Sequence, residues 1–376
     1  MANNSYAARS GSAKCDSSHF KESIVKKIAF VQSDLRVGGI QKSVVNIIRG
    51  MDYTKYKVDL YVFEDGSFFD LPENENLRII RLKPYPGICR VIPFDLLYRL
   101  FPIKVPDEEY DVAIDFNSYQ NSCACAALRL KAKKHIMWIH NDMEIKLREE
   151  PKYKIMWLFF KGKFKYFDEF VAVSPGIIGG FRKMTGITDK PVHAIPNHID
   201  TDEIFAKMDT PIEFEPNPDE FNLCSMGRLC HQKGFDILLN YLAEVKKTRP
   251  EMHLYILGEG PDRDALTNQA QQLGISNSFT LLGNQSNPFP YLKKMDAFVL
   301  TSRYEGQGMV LWEAKAVGLP LYAAANLGKY NPGIECCDDI AAALTGAQKT
   351  EKKPDPLTQY NLSIDESLYR IFESNI

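Results

Sequence analysis

The chain has 376 residues, of which 45% are hydrophobic and 25% charged, with 46 basic and 48 acidic side chains and a net charge of -2. That length suits two ordinary domains, each large enough to bury its own core. The near-balanced charge excludes a generally basic nucleic-acid binder. No run of about eighteen apolar residues occurs, so no membrane span is predicted and the expected location is cytoplasmic.

Residues 1–22 are small and polar and lack the apolar centre of a signal peptide, so they read as a disordered tail. A first domain is expected over 23–207. It opens with an apolar run at 27–32, of buried-strand length. After Gly38-Gly39, Ile40, Val44, Ile47 and Ile48 recur at helical spacing, and Gly50 ends the helix. Further strands are predicted at 57–63, 111–115, 135–139, 170–173 and 192–195, with amphipathic stretches between most of them. That order predicts a parallel sheet covered by helices.

Pro211, Pro216 and Pro218 among acidic neighbours make 208–220 a stiff linker. A second domain is expected over 221–347. Its strands are predicted at 221–226, 252–257, 279–282, 297–301 and 320–323. Helices are predicted at 235–247, 262–273 and 308–317. This is the repeated βαβ pattern of an open α/β fold. Residues 348–376 read as a connector and a last helix, with Ile364, Leu368, Ile371 and Phe372 on one face, packing back on the first domain. The eight cysteines (Cys15, Cys89, Cys123, Cys125, Cys224, Cys230, Cys336 and Cys337) show no C-x-x-C spacing. They read as free thiols, and no metal site is expected.

The chemistry concentrates in the second domain. Glu305 stands at a strand end and Glu313 lies eight positions on, inside the next helix. Gly306 and Gly308 between them suit a close backbone approach to a ligand, and the helix start offers amide donors to an anion. Arg228 follows another strand and Lys233 precedes a helix. A guanidinium and an ammonium at strand ends suit a diphosphate. A dinucleotide fingerprint is not completed around either Gly38-Gly39 or Gly258-Glu259-Gly260.

Taken together, Gly227-Arg228-Leu229, Gln232-Lys233-Gly234-Phe235-Asp236, Leu257-Gly258-Glu259-Gly260-Pro261, Ser302 to Gly306, Glu313-Ala314 and Gly318-Leu319-Pro320 follow a recognisable order. They resemble the C-terminal half of the family-four retaining glycosyltransferases. Gly38 to Gln41, Trp138 to Asp142, Val173-Ser174-Pro175 and Ile195 to Asp200 resemble the N-terminal half. The resemblance covers about residues 27 to 325. It implies a GT-B fold, two Rossmann-like domains facing each other across a cleft, with the acceptor mainly on the first and the nucleotide mainly on the second.

The resemblance also implies roles. Arg228 and Lys233 neutralise the departing diphosphate, Glu305 holds hydroxyls of the transferred sugar and Glu313 those of the ribose. The backbone of Met309 and Val310 adds amide donors, Gly38 and Gly39 let a loop close over the phosphates, and His140 lies beside the sugar. The implied reaction moves a hexosyl group from a UDP or GDP sugar to a hydroxyl of a glycan or lipid-linked acceptor, in cell-surface polysaccharide synthesis. It needs neither cofactor nor metal. A catalytically degenerate scaffold and a nucleotide-sugar epimerase are the rival readings. Two positions depart from the family pattern: His198 stands where glycine is usual, and Gln307-Gly308 replaces a small or aromatic residue followed by proline.

Residues 146–167 interleave seven basic side chains with aromatic ones. Read as a helix, this segment either lies on an anionic membrane surface or packs its aromatic stripe into the core.

Overall fold

The computed structural model describes residues 25–374; the predicted tail and Cys15 lie outside them. The first sheet comprises β1 (Lys26–Val31), β2 (Tyr56–Val62), β3 (Leu77–Arg81), β4 (Glu109–Asp115), β5 (Lys131–Ile139), β6 (Glu169–Ala172) and β7 (Val192–Ala194). These seven parallel strands run in the order β3-β2-β1-β4-β5-β6-β7. The second comprises β8 (Phe221–Met226), β9 (Met252–Leu257), β10 (Phe279–Gly283), β11 (Ala297–Leu300), β12 (Leu321–Ala324) and β13 (Cys336–Cys337). Its parallel order is β10-β9-β8-β11-β12-β13. Each sheet reverses strand order once, between β1 and β4 and between β8 and β11. Connections leave in opposite directions there and open a crevice at the strand carboxyl ends.

Parallel strands are covered on both faces, so they are near-continuous apolar runs. Ile28 to Val31 and Ala297 to Leu300 are fully buried. The edge strand β3 has no such run: Ile79 is exposed and Arg78 pairs with Asp59 on β2. One apolar core belongs to the second domain alone, around Leu223, Leu239, Leu254 and Val299. The other runs from Phe30, Phe116 and Trp138 of the first domain to Tyr304, Leu311 and Trp312 of the second.

The C-terminal helix, Thr358–Glu373, buries Ile364, Leu368, Ile371 and Phe372. Tyr369 stacks on Tyr56 at 5.3 Å. The buried Lys134 ammonium donates to the Ile371 carbonyl at 2.9 Å, and that of Lys26 to the Phe372 carbonyl at 3.1 Å. Both cations satisfy carbonyls left open at a helix C-terminus.

Residues 146–167 do not form one helix. A helix at Met143–Glu149 ends before Pro151, a second runs from Pro151 to Phe160, and a 3-10 turn covers Lys161–Tyr166. Proline cannot continue the first helix but suits the first turn of the second. Trp157, Phe160, Phe164 and Phe167 are buried, while Ile155, Met156 and Leu158 face solvent.

Candidate active site

The motifs converge from the carboxyl ends of both sheets. Beyond β8 the backbone turns at Gly227, whose φ of +154° favours glycine. A side chain on Gly258 would lie 2.0 Å from the Gly227 carbonyl oxygen, so the two strand ends touch backbone to backbone. The Lys233 stem crosses Gly227, and its ammonium reaches Glu305 Oε1 at 2.7 Å. Gln232 Nε2 donates to the Tyr304 carbonyl at 3.1 Å. Arg303, in the same loop, grips Asp236 with both guanidinium nitrogens. Arg228 is exposed beside this cluster and forms no ion pair among the described residues.

The first domain closes over the other side of the Glu305 loop. A Cβ on Gly306 would lie 2.0 Å from the His140 carbonyl oxygen. This glycine therefore admits the backbone of the loop after β5. The Asp142 amide donates to the Glu305 carbonyl at 3.3 Å and the Ser174 hydroxyl to the Gly306 carbonyl at 2.5 Å. Asp142 also accepts from Lys329 at 3.1 Å and from the Tyr330 hydroxyl at 2.9 Å.

Gly38 caps the helix Gly39–Gly50, and Lys42 in its first turn reaches Glu313 Oε1 at 2.5 Å. Met309 and Val310 open the helix that carries Glu313. The Met309 amide donates to the Gln307 carbonyl at 3.0 Å, and the Gly308 amide to Asn331 Oδ1 at 3.0 Å. His140 is half-buried against the Phe116 ring, and its Nε2 lies 2.9 Å from the Phe116 carbonyl. Burial lowers its pKa to about 3, so the ring is neutral at physiological pH. Because a carbonyl can only accept, Nε2 carries the proton and Nδ1 is the free acceptor.

The two family departures have partners on the C-terminal helix. Gln307 Oε1 accepts from the Asn197 amide at 2.6 Å, while its Nε2 donates to the Tyr360 hydroxyl. Tyr360 in turn donates to the Asn197 carbonyl at 3.0 Å and stacks on Trp312 at 4.0 Å. His198 lies 3.8 Å from Asp365.

Of the predicted residues, Lys233 and Glu305 are directly paired, and His140 touches their loop through its backbone. The Glu313 carboxylate is bound by Lys42 of the first domain. Arg228 is exposed after β8, and Gly38 and Gly39 stand at the start of the Lys42 helix; none of the three bonds to the carboxylates among the described residues. Sequence reasoning missed Lys42, because a lysine on the polar side of an amphipathic helix carries no periodic signal. Asp142 lies in the motif Trp138 to Asp142, but its partners Lys329 and Tyr330 are 187 and 188 positions away and leave no local signal.

Residues 37–203 match the family described as Glycosyltransferase Family 4, and residues 209–330 match Glycosyl transferases group 1. The chain is 27% identical over 245 residues to an uncharacterised glycosyltransferase of Methanocaldococcus jannaschii, a stretch covering 61% of this chain and 59% of that protein. It is 35% identical over 123 residues to the lipopolysaccharide core biosynthesis glycosyltransferase LpsE of Rhizobium meliloti, covering 33% of each. The chain thus spans less than two thirds of the length of these curated relatives. Its fold is similar to that of Anabaena HepE, solved in complex with UDP and glucose, at a TM-score of 0.63 and 17% identity over 92% of this chain and 99% of that one. With both halves matched in order, and with the two facing parallel sheets that such enzymes share, the chain belongs to the family-four, group 1 glycosyltransferases of the GT-B fold.

Proposed function

We propose that the chain transfers a hexosyl group, with retention, from a nucleoside-diphosphate sugar to a hydroxyl of a glycan or lipid-linked acceptor in cell-surface polysaccharide synthesis. The observation that carries this reading is the cluster of Arg228, Lys233 and Glu305 at adjacent strand ends of the second domain, facing the His140 loop of the first. The UDP and glucose bound by HepE and the lipopolysaccharide role of LpsE support the donor class and the setting.

In this reaction the bond between the anomeric carbon and the phosphate oxygen breaks, and its electron pair leaves with the diphosphate. The acceptor oxygen bonds to the anomeric carbon from the same face, and its proton passes to the departing phosphate. Arg228 and Lys233 stabilise charge where it develops on the leaving group. Glu305 orients sugar hydroxyls while paired to Lys233, and Glu313 orients the ribose. Neutral His140 offers Nδ1 as a hydrogen-bond acceptor beside the sugar, which suits positioning better than proton removal.

Thermal unfolding with UDP, GDP and their sugars tests the reading. A ligand at a hundred times its Kd adds about 2.7 kcal/mol of stability. A selective shift that disappears in Arg228→Ala is the expected result; no shift with any nucleotide rejects the proposal.

A further inference from the structure

We infer that the first domain carries a docking surface for an anionic lipid bilayer, formed by the 3-10 turn Gly87–Val91, the helix Phe94–Leu100 and the helix Pro151–Phe160. These elements adjoin one another. Cys89, Leu97 and Phe160, one from each, line a common cavity, and Tyr166 beyond the last helix packs on Phe94 and Tyr98.

Their buried faces are accounted for by Cys89, Phe94, Leu97, Trp157 and Phe160. Their outer faces expose aliphatic side chains among basic ones. Ile88 and Val91 are exposed, as are Leu96 and Leu100, four apart on one helix face, and Ile155 and Leu158 on the next. Contiguous exposed aliphatic side chains on neighbouring elements mark an interaction site.

Charge names the partner. Residues 87–104 and 151–167 hold eight basic side chains and one acidic one, Asp95, in a chain whose net charge is -2. Asp95 is bound by Lys165 and Tyr166. Arg90, Arg99, Lys104, Lys152, Lys154 and Lys161 are all exposed. Aliphatic side chains rimmed by lysine and arginine match the boundary between acyl chains and anionic headgroups, where long basic side chains keep their charge in the polar layer.

The cavity shared by these elements has a volume of about 310 Å³ and extends to Ser33 and Asp34 beyond β1, and to Tyr119 and Asn121 beyond β4. The Tyr119 hydroxyl and Asn121 Oδ1 are buried without hydrogen-bond partners among the described residues. Exposed Arg90 and Met156 of this surface also line the cavity, so docking through it brings the cavity next to the headgroups. Given the transfer reaction proposed above, on which this step rests, the acceptor is then membrane-borne.

Co-sedimentation of the full chain with vesicles of phosphatidylcholine, alone or mixed with phosphatidylglycerol, tests the docking. Binding to the mixed vesicles that weakens with salt is expected. Lys152→Glu/Lys154→Glu is expected to reduce it roughly tenfold or more, because each basic residue at an anionic surface is worth about fivefold in partition. Ile155→Ser/Leu158→Ser is expected to reduce it as well. Equal partition into both vesicle types, or unchanged binding by both variants, overturns the inference. So does a wild-type oligomer that becomes monomeric in Ile155→Ser/Leu158→Ser, which assigns the surface to a second copy. The nucleotide-induced thermal shift separates the two readings. Its retention in variants that lose vesicle binding supports docking by a folded, donor-competent protein. Its absence from the wild type rejects the transfer reaction and leaves the vesicle result to decide docking alone.

Discussion

Lys42 of the first domain and Glu313 of the second meet at 2.5 Å, and the Glu313 side chain is only 5% exposed. Removing one partner of a buried pair strands the other charge away from water, at a cost of about 3–5 kcal/mol. Lys42→Met should therefore destabilise the protein by about 3 kcal/mol in urea unfolding. Because the partners sit on different domains, faster amide exchange at residues 305–313 should accompany the loss.

Arg228 forms no ion pair among the described residues, so its removal should leave the fold intact. If it stabilises the leaving diphosphate, Arg228→Ala should lower kcat by roughly a hundred- to a thousandfold, or about 3–4 kcal/mol, with unchanged circular dichroism. Lys233→Ala is a less clean probe, because it also unpairs the buried Glu305.

Gly306 and Gly308 should differ in tolerance. A Cβ at 306 would lie 2.0 Å from the His140 carbonyl oxygen, a backbone atom of the other domain. At 308 the nearest neighbours are side-chain atoms of Leu311 and Asn331, at 3.3 and 3.4 Å, which can shift. Gly306→Ala should cost about 1–3 kcal/mol of stability and Gly308→Ala less than about 1 kcal/mol, as read by thermal unfolding.

The folded-state pKa of His140 is lowered by burial from 6.5 to about 3. Between those values the unfolded chain binds a proton that the folded ring does not, so His140 contributes stability above pH 6.5 that is lost as pH falls toward 3. Asp115 works in the opposite sense: burial raises its pKa to about 7, so its contribution is lost as pH rises toward that value. Comparing wild type with His140→Asn cancels the Asp115 effect. The stability difference between the two should fall steadily, in urea titrations, as pH drops below 6.5.

The family departures at 198 and 307 show where reading along the chain stops. His198 and Gln307 look like local irregularities in otherwise familiar motifs. In the fold, Gln307 meets Tyr360 and His198 lies near Asp365, both on the C-terminal helix. That helix was visible from the spacing of Ile364, Leu368, Ile371 and Phe372, but its polar face carries no sign of what it will touch. Residues 146–167 show the same limit. Their composition alone did not separate Trp157 and Phe160, which enter the core, from Ile155 and Leu158, which stay outside.

By itself the sequence determined the central strands of both parallel sheets and named Arg228, Lys233, Glu305 and Glu313. Strands covered on two faces must be short apolar runs, and residue type needs no coordinates. The edge strands β3 and β13, each paired along one side and partly solvated, escaped that logic. The tertiary structure decided the pairings: Lys233 with Glu305, Lys42 with Glu313 across 271 positions, and Gly306 against the His140 carbonyl. An ion pair depends on distance and on the water excluded around it, and neither exists until both domains have folded and closed on each other.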